Sequence, residues 1–123
     1  MKKILVVDDA ATVRMYHKKI LEDAGFIVEE AFNGMEAIEK AVTSDYNLYV
    51  VDVNMPQLDG YSFVRKLKES EDIKQVPIIM VTTESEKGDM DKAFELGANL
   101  YLVKPVKPDE FLKYCKLLTG EIL

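Results

Sequence analysis

Short apolar runs alternate with amphipathic stretches along the whole chain. Five runs rich in Val, Ile, Leu and Tyr have the length and composition of β-strands. These runs are Lys3–Val7, Ile27–Ala31, Leu48–Val51, Ile78–Val81 and Leu100–Val103. Stretches with apolar residues at helical spacing follow them and predict five helices, at about Thr12–Ala24, Met35–Val42, Leu58–Glu69, Glu86–Leu96 and from just after Pro108 to about Leu118.

Five strand–helix units in series predict an α/β fold with a doubly wound parallel sheet, because right-handed crossovers place helices on both faces. The first and third strands are apolar at successive positions, which is typical of central strands buried on both sides. In the first helix the spacing predicts an inward face of Val13, Tyr16, Ile20 and Ala24.

Composition narrows the class of protein. The 123 residues suit one domain, and 48% hydrophobic with 31% charged residues indicates a soluble globular chain. A net charge of −6 argues against a nucleic-acid partner, which requires a basic surface. The apolar runs are too short for a membrane span. A single cysteine, Cys115, excludes an internal disulfide and predicts a cytoplasmic location.

Polar residues follow four of the five predicted strands at their carboxyl ends. Asp8-Asp9 follows the first strand, Asp52 the third, Thr82-Thr83 the fourth and Lys104-Pro105 the fifth. Ligands of open α/β sheets bind outside the carboxyl ends of the strands. We therefore expect these groups to meet at one edge of the sheet.

The adjacent carboxylates of Asp8 and Asp9 need an explanation, because at ~4 Å and an effective dielectric near 20 they repel by roughly 4 kcal/mol. Solvated loop residues or a helix cap are the structural alternatives. Together with Asp52, however, they offer the oxygen ligands that Mg²⁺ takes. Lys104 adds a positive charge, Thr82 a hydroxyl donor, and Asp52 a carboxylate able to accept a phosphoryl group. The set predicts a hard-cation and phosphate site.

Four segments make the chain resemble the response-regulator receiver family of bacterial two-component signalling. They are VVDD at Val6–Asp9, VVDVNMPQLDG at Val50–Gly60, MVTT at Met80–Thr83 and LVKP at Leu102–Pro105. The resemblance implies a flavodoxin-like, five-stranded sheet in the order 2-1-3-4-5 with five helices. It also implies one receiver domain over residues 1–123 without an output domain, similar to stand-alone chemotaxis regulators.

The resemblance implies a role for each residue of the site. Asp52 would be the phospho-acceptor, and Mg²⁺ would be held by Asp8, Asp9, Asp52 and the backbone carbonyl of Asn54. Lys104 would contact the phosphoryl group and precede a cis peptide bond to Pro105. Thr82 and Tyr101 would be the switch residues, and Asn54 and Glu84 would set the rate of dephosphorylation.

The same resemblance implies the partners. A histidine kinase or phosphotransfer domain would donate the phosphoryl group, in a reaction that the chain assists although it is not an enzyme. A protein such as a flagellar switch component would receive the signal through the face of helix 4, strand 5 and helix 5. Neither a nucleic acid nor a membrane is expected as a partner.

Several alternatives stay open at the level of sequence. The chain can serve as a phosphorelay intermediate, and a receiver excised from a longer protein has the same pattern. An aspartate-nucleophile phosphatase places a second aspartate two residues after the first, where this chain has Asn54. A nucleotide or flavin binder needs a glycine-rich phosphate loop, which follows none of the strands. Tyr101 fits sheet packing as well as a switch, and His17 is predicted to be a half-buried structural residue.

Overall fold

A parallel five-stranded sheet organises the chain in the computed structural model, which describes residues 1–83 and 87–120. The strands are β1 (Lys3–Val7), β2 (Ile27–Ala31), β3 (Leu48–Asp52), β4 (Ile78–Thr82) and β5 (Leu100–Val103). They pair in the order β2-β1-β3-β4-β5, and every pair is parallel. The predicted fold class and strand order are confirmed.

Five helices within the described residues cover the two faces of this sheet. They are α1 (Ala11–Asp23), α2 (Gly34–Thr43), α3 (Gly60–Glu69), α4 (Lys87–Leu96) and α5 (Pro108–Thr119). Residues of α2, α3 and α4 share one buried apolar cluster with the sheet, whereas residues of α1 and α5 share the other. Successive residues of β1 and β3 alternate between the two clusters, which explains why both strands are apolar throughout.

The predicted inward face of α1 is correct for Ile20, which packs against a buried apolar cluster, but wrong for Tyr16 and Ala24. Its buried residues are His17 and Leu21, while Tyr16 is 43% exposed and Ala24 is also exposed. The histidine occupies the centre of the buried stripe, with its ring centroid 4.9 Å from that of Phe111 in α5. A hydrophobic pattern counts histidine as a polar, outward residue, so it rotates the predicted face away from His17.

The start of α3 also differs from the prediction. The helix begins at Gly60 and not at Leu58, because Leu58 has a φ of 98°, which a right-handed helix cannot contain. Asp59 is the N-cap, and its side chain accepts a hydrogen bond from the Ser62 amide at 2.8 Å. Asn33 caps α2 in the same way, because its side chain accepts a hydrogen bond from the Glu36 amide.

Two further features concern the ends of the elements. The strands β3 and β4 each run one residue beyond the predicted end, so Asp52 and Thr82 are themselves strand residues. The Lys104-Pro105 peptide bond is cis, as expected.

None of the helices in the described part of the chain has both the length and the apolar character that a membrane crossing requires.

Candidate functional site

Three carboxylates meet at the carboxyl edge of the central strands. Val7 of β1 is in register with Val51 of β3, so the residues that follow them, Asp8 and Asp52, lie side by side. Oxygen atoms of Asp8, Asp9 and Asp52 all lie within 4.8 Å of one another. Asp8 and Asp52 are buried, at 2% and 6% exposure, whereas Asp9 is exposed. The cluster therefore has two fixed inner groups and one that faces solvent.

Lys104 closes the site from the side of β5. Its Nζ lies 2.7 Å from Asp8 Oδ2 and 3.1 Å from Asp52 Oδ1, so one ammonium group bridges both buried carboxylates. The Lys104 amide donates to the Thr82 carbonyl at 2.7 Å, which fixes the backbone that carries this side chain. Burial alone would lower the pKa of Lys104, but the hydrogen bond to Asp8 and the charge of Asp52 outweigh it and raise the pKa. Lys104 is therefore charged.

Asp8 is held at every polar group it has. Its amide donates to the Ala31 carbonyl at 3.1 Å, and its Oδ1 accepts from the Ala10 amide at 2.9 Å. Lys104 binds Oδ2, and Arg14 Nη1 donates to the main-chain carbonyl at 2.7 Å. These four contacts give Asp8 a single orientation before any ligand binds.

Asp52 carries the most perturbed carboxyl group of the site. Burial and the nearby charge of Asp8 raise its pKa to about 6, although Lys104 acts in the opposite direction. The group is still mostly ionised at neutral pH, but its charged form is only partly compensated by one lysine. A further cation at the carboxylate cluster would stabilise the ionised form of Asp52.

The donor set fits Mg²⁺. All three side chains offer carboxylate oxygens, which hard divalent cations prefer, and no thiolate or imidazole lies in the cluster that would favour a softer metal. Because Asp9 faces solvent, the outer side of the cluster is open to water and to a phosphate oxygen. Asn54 is exposed two residues after Asp52, and its role as a backbone ligand stays a prediction.

The two predicted switch residues lie in β4 and β5, on the opposite side of β3 from β1. Thr82 ends β4 and is fully buried, and Tyr101 of β5 is 7% exposed. Tyr101 belongs to the apolar cluster that contains α2, α3 and α4, so it does pack against the sheet. Its switch role stays a prediction, as does that of Thr82. Glu84 lies outside the described residues.

The backbone at Gly60 closely approaches the backbone at Asp52, and this shapes the loop between β3 and α3. The Gly60 amide donates to the Val53 carbonyl at 2.9 Å, and a Cβ on Gly60 would collide with the Asp52 carbonyl oxygen. Likewise, a Cβ on Gly34 would collide with the carbonyl oxygen of Leu58. Both glycines allow the loop between β3 and α3 to fold tightly behind Asp52.

Sequence reasoning missed Arg14. This residue lies in the first part of α1, five positions after Asp9, and it contacts a carbonyl of the site as well as Glu30 of β2. The only signal in the sequence is its spacing from the Asp-Asp pair, and this spacing does not reveal a contact with a main-chain oxygen.

Comparisons with known proteins identify the family of this chain. Residues 4–116 match the response regulator receiver domain family. The transcriptional regulatory protein ResD of Bacillus subtilis is 40% identical over 116 residues, which cover 94% of this chain and 47% of ResD. The chain thus spans about half the length of this relative.

Solved structures cover nearly the whole chain. The chemotaxis response regulator CheY4 of Vibrio cholerae is 36% identical with a TM-score of 0.89, over 96% of this chain and 98% of that one. The receiver domain of the sensor histidine kinase PA1611 from Pseudomonas aeruginosa, which has a magnesium ion coordinated in its active-site cleft, is 30% identical with a TM-score of 0.88, over 97% and 98%. Because sequence and structure match over almost all of its length, the chain belongs to the response-regulator receiver family of two-component signalling.

Proposed function

We propose that this chain is a phospho-accepting switch in which Asp52 receives a phosphoryl group in a Mg²⁺-dependent reaction. The observation that supports this most directly is the cluster of Asp8, Asp9 and Asp52 with Lys104 bridging the two buried members. Such an arrangement offers a nucleophilic oxygen, a cation site and a fixed positive charge within one open edge of the sheet.

The transfer requires one bond to form and one to break. An oxygen of Asp52 attacks the phosphorus of a phosphohistidine in a kinase or phosphotransfer domain, and the phosphorus–nitrogen bond breaks. The leaving imidazole nitrogen keeps the electron pair of that bond and is protonated. Lys104 stays near the new phosphoryl oxygens and offsets their charge. Asp8, Asp9, Asp52 and the Asn54 carbonyl would hold Mg²⁺, which would supply further positive charge for the phosphoryl oxygens.

The phosphoryl group then changes a partner-binding face. It adds about −1.5 to −2 charge and strong acceptor oxygens at Asp52. Thr82 moves to donate to one of these oxygens, and Tyr101 fills the space that Thr82 leaves. The face formed by α4, β5 and α5 thereby changes its shape, as a shift between two populated states.

Two classes of output follow from two different relatives. The likeness to CheY4 supports a chemotaxis-type regulator that acts on a protein such as a flagellar switch component. The likeness to ResD supports a second candidate, the receiver part of a transcriptional regulator. Both candidates use the same phosphorylation site, and both place the chain in the cytoplasm with its histidine-kinase partner.

Acetyl phosphate distinguishes a phospho-switch from a phosphatase. With Mg²⁺ the protein should gain the mass of one phosphoryl group, and with EDTA it should gain none. Incubation with p-nitrophenyl phosphate should give no sustained release of nitrophenol. Repeated turnover of this ester would support the phosphatase alternative, and the absence of any adduct would contradict the proposal.

A further inference from the structure

Arg14 joins the metal-binding loop to the edge of the sheet. Its Nη1 donates to the Asp8 carbonyl oxygen at 2.7 Å, and its Nε donates to Glu30 Oε1 in β2 at 3.2 Å. The other carboxylate oxygen of Glu30 accepts from Lys18 at 3.3 Å. The Arg14 side chain is mostly buried, at 18% exposure. Two parts of one guanidinium group thus bind two different elements at once.

The contact with the Asp8 carbonyl controls the direction of Asp9. A peptide unit is planar, so the carbonyl of Asp8 and the amide of Asp9 turn together. When Arg14 fixes this oxygen, it also fixes the path along which Asp9 leaves the strand. The Asp9 carboxylate itself makes no hydrogen bond or ion pair within residues 1–83 and 87–120. Its place in the cluster therefore depends on its backbone.

The geometry of the contact requires an arginine. Glu30 holds the Nε side of the group while Nη1 reaches the carbonyl, and the rigid planar fork keeps the two directions fixed relative to each other. A lysine has one nitrogen at its end and cannot span both acceptors in this way. Lys18 shares Glu30 with Arg14 but makes no hydrogen bond to Asp8 within the described residues, so it serves as a control for the carbonyl hydrogen bond.

We propose that Arg14 is a positioning residue for the metal site, which places Asp9 through the Asp8–Asp9 peptide plane and so sets the affinity for Mg²⁺. This inference rests on the proposed function, since it assumes that the carboxylate cluster binds the ion. Outer groups that orient metal ligands typically change metal affinity by 10- to 100-fold when they are removed.

The charge of Arg14 and its positioning role predict opposite changes in Mg²⁺ affinity when the residue is replaced. Arg14 is a cation close to a cation site, so its removal should strengthen Mg²⁺ binding if only its charge mattered. If Arg14 positions Asp9, its removal should weaken binding instead. The sign of the change therefore separates the two roles.

The experiment compares Arg14→Met, Arg14→Lys and the matched control Lys18→Met with the wild type. Thermal unfolding over a series of MgCl₂ concentrations gives the dissociation constant, and the midpoint without Mg²⁺ reports any general loss of stability. Both Arg14 variants should bind Mg²⁺ about tenfold more weakly, whereas Lys18→Met should stay within about twofold of the wild type.

Four outcomes would overturn the inference or its basis. Unchanged or tighter binding in Arg14→Met would contradict the positioning role, and so would an equal loss in Lys18→Met. If Arg14→Met does not fold, wild-type affinity in Arg14→Lys contradicts the role in the same way. A wild type that does not respond to Mg²⁺ would contradict the proposed metal site itself, which distinguishes that failure from a failure of the Arg14 inference.

Discussion

At the scale of single residues, two buried titratable groups have pKa values shifted in opposite directions. Burial and the charge of Asp8 raise the pKa of Asp52 to about 6, and burial lowers the pKa of His17 to about 4, with Asp8 acting against this. In both cases the folded protein disfavours the charged form. The place of Asp52 in the site was predictable from its position at the end of an apolar strand pattern. The full burial of His17 was not predictable, because the hydrophobic pattern does not mark a polar residue that faces the core.

The raised pKa of Asp52 predicts how stability depends on pH. An unfolded aspartate ionises near pH 3.8, so between about pH 4 and 6 the folded state keeps a proton that the unfolded state loses. The ionised carboxylate therefore costs the wild type stability as pH rises through this window. Relative to the wild type, Asp52→Asn should gain about 2 kcal/mol in the free energy of unfolding between pH 4 and pH 7.

Urea unfolding in EDTA at several pH values measures this difference. His17→Leu provides a contrast, because the unfolded histidine is protonated below pH 6.5 while the folded one is neutral down to about pH 4. This variant should gain most relative to the wild type at acid pH, and its advantage should shrink toward pH 7. An Asp52→Asn difference that is independent of pH would contradict the electrostatic description of the site.

The lifetime of the phosphoryl group is a second property of individual residues. Water must attack in line with Asp52 from the solvent side, where Asn54 is exposed two residues farther along the chain. We predict rapid self-dephosphorylation, slowed about tenfold, or ~1.4 kcal/mol on the barrier, when Asn54 or Glu84 is replaced by arginine. The decay of the phosphorylated protein after donor removal, at constant Mg²⁺, measures this rate. A half-life of hours, or no effect of either substitution, would favour the phosphorelay alternative.

At the scale of elements, the strands were more predictable than the helices. The five strand patterns needed only their apolar character, and β1, β2 and β5 have the predicted bounds. The face of α1 and the start of α3 were not predictable, because each depends on a single local exception. In α1 the exception is a buried histidine, and in α3 it is the positive φ of Leu58.

The loop before α3 gives a test at this scale. Gly60→Ala should lower the free energy of unfolding by about 1–3 kcal/mol, because the added methyl group meets the Asp52 carbonyl, which is backbone and cannot easily yield. Gly88 in α4 is a matched control, since a Cβ there meets nothing within 4 Å. Gly88→Ala should raise stability by about 0.5–1 kcal/mol. Urea unfolding of both variants checks the prediction, and an unchanged Gly60→Ala would show that the close approach is not limiting.

At the scale of the whole molecule, the site was predictable because topology brings strand ends together. Asp8, Asp9, Asp52 and Lys104 come from different parts of the chain, yet the rule that ligands bind at the carboxyl edge of an open sheet placed them in one cluster. The contact of Arg14 was not predictable in this way, because it uses a backbone carbonyl as the acceptor. Side-chain chemistry can be inferred from a sequence more readily than the orientation of a peptide plane.

The proposed switch connects this cluster to α4, β5 and α5. Phosphorylation should change hydrogen–deuterium exchange in these elements, because Thr82 lies in β4, which pairs with the strand of Asp52, and Tyr101 lies in β5, which pairs with β4. The change should be much smaller in Thr82→Ala, since the hydroxyl that we propose binds the phosphoryl group is gone. Thr83→Ala is the control, because Thr83 is adjacent but exposed. An equal response in Thr82→Ala would contradict the proposed coupling.

Peptide mapping by mass spectrometry shows directly whether Asp52 accepts the phosphoryl group. After treatment with acetyl phosphate and Mg²⁺, we expect one phosphoryl group on the peptide that contains Asp52, stable to acid and released by hydroxylamine. The adduct should be absent from Asp52→Asn and present in Asp59→Asn, in which asparagine keeps the helix cap. A phosphoryl group on His17, Thr82 or Ser62, or an undiminished adduct in Asp52→Asn, would show that Asp52 is not the acceptor.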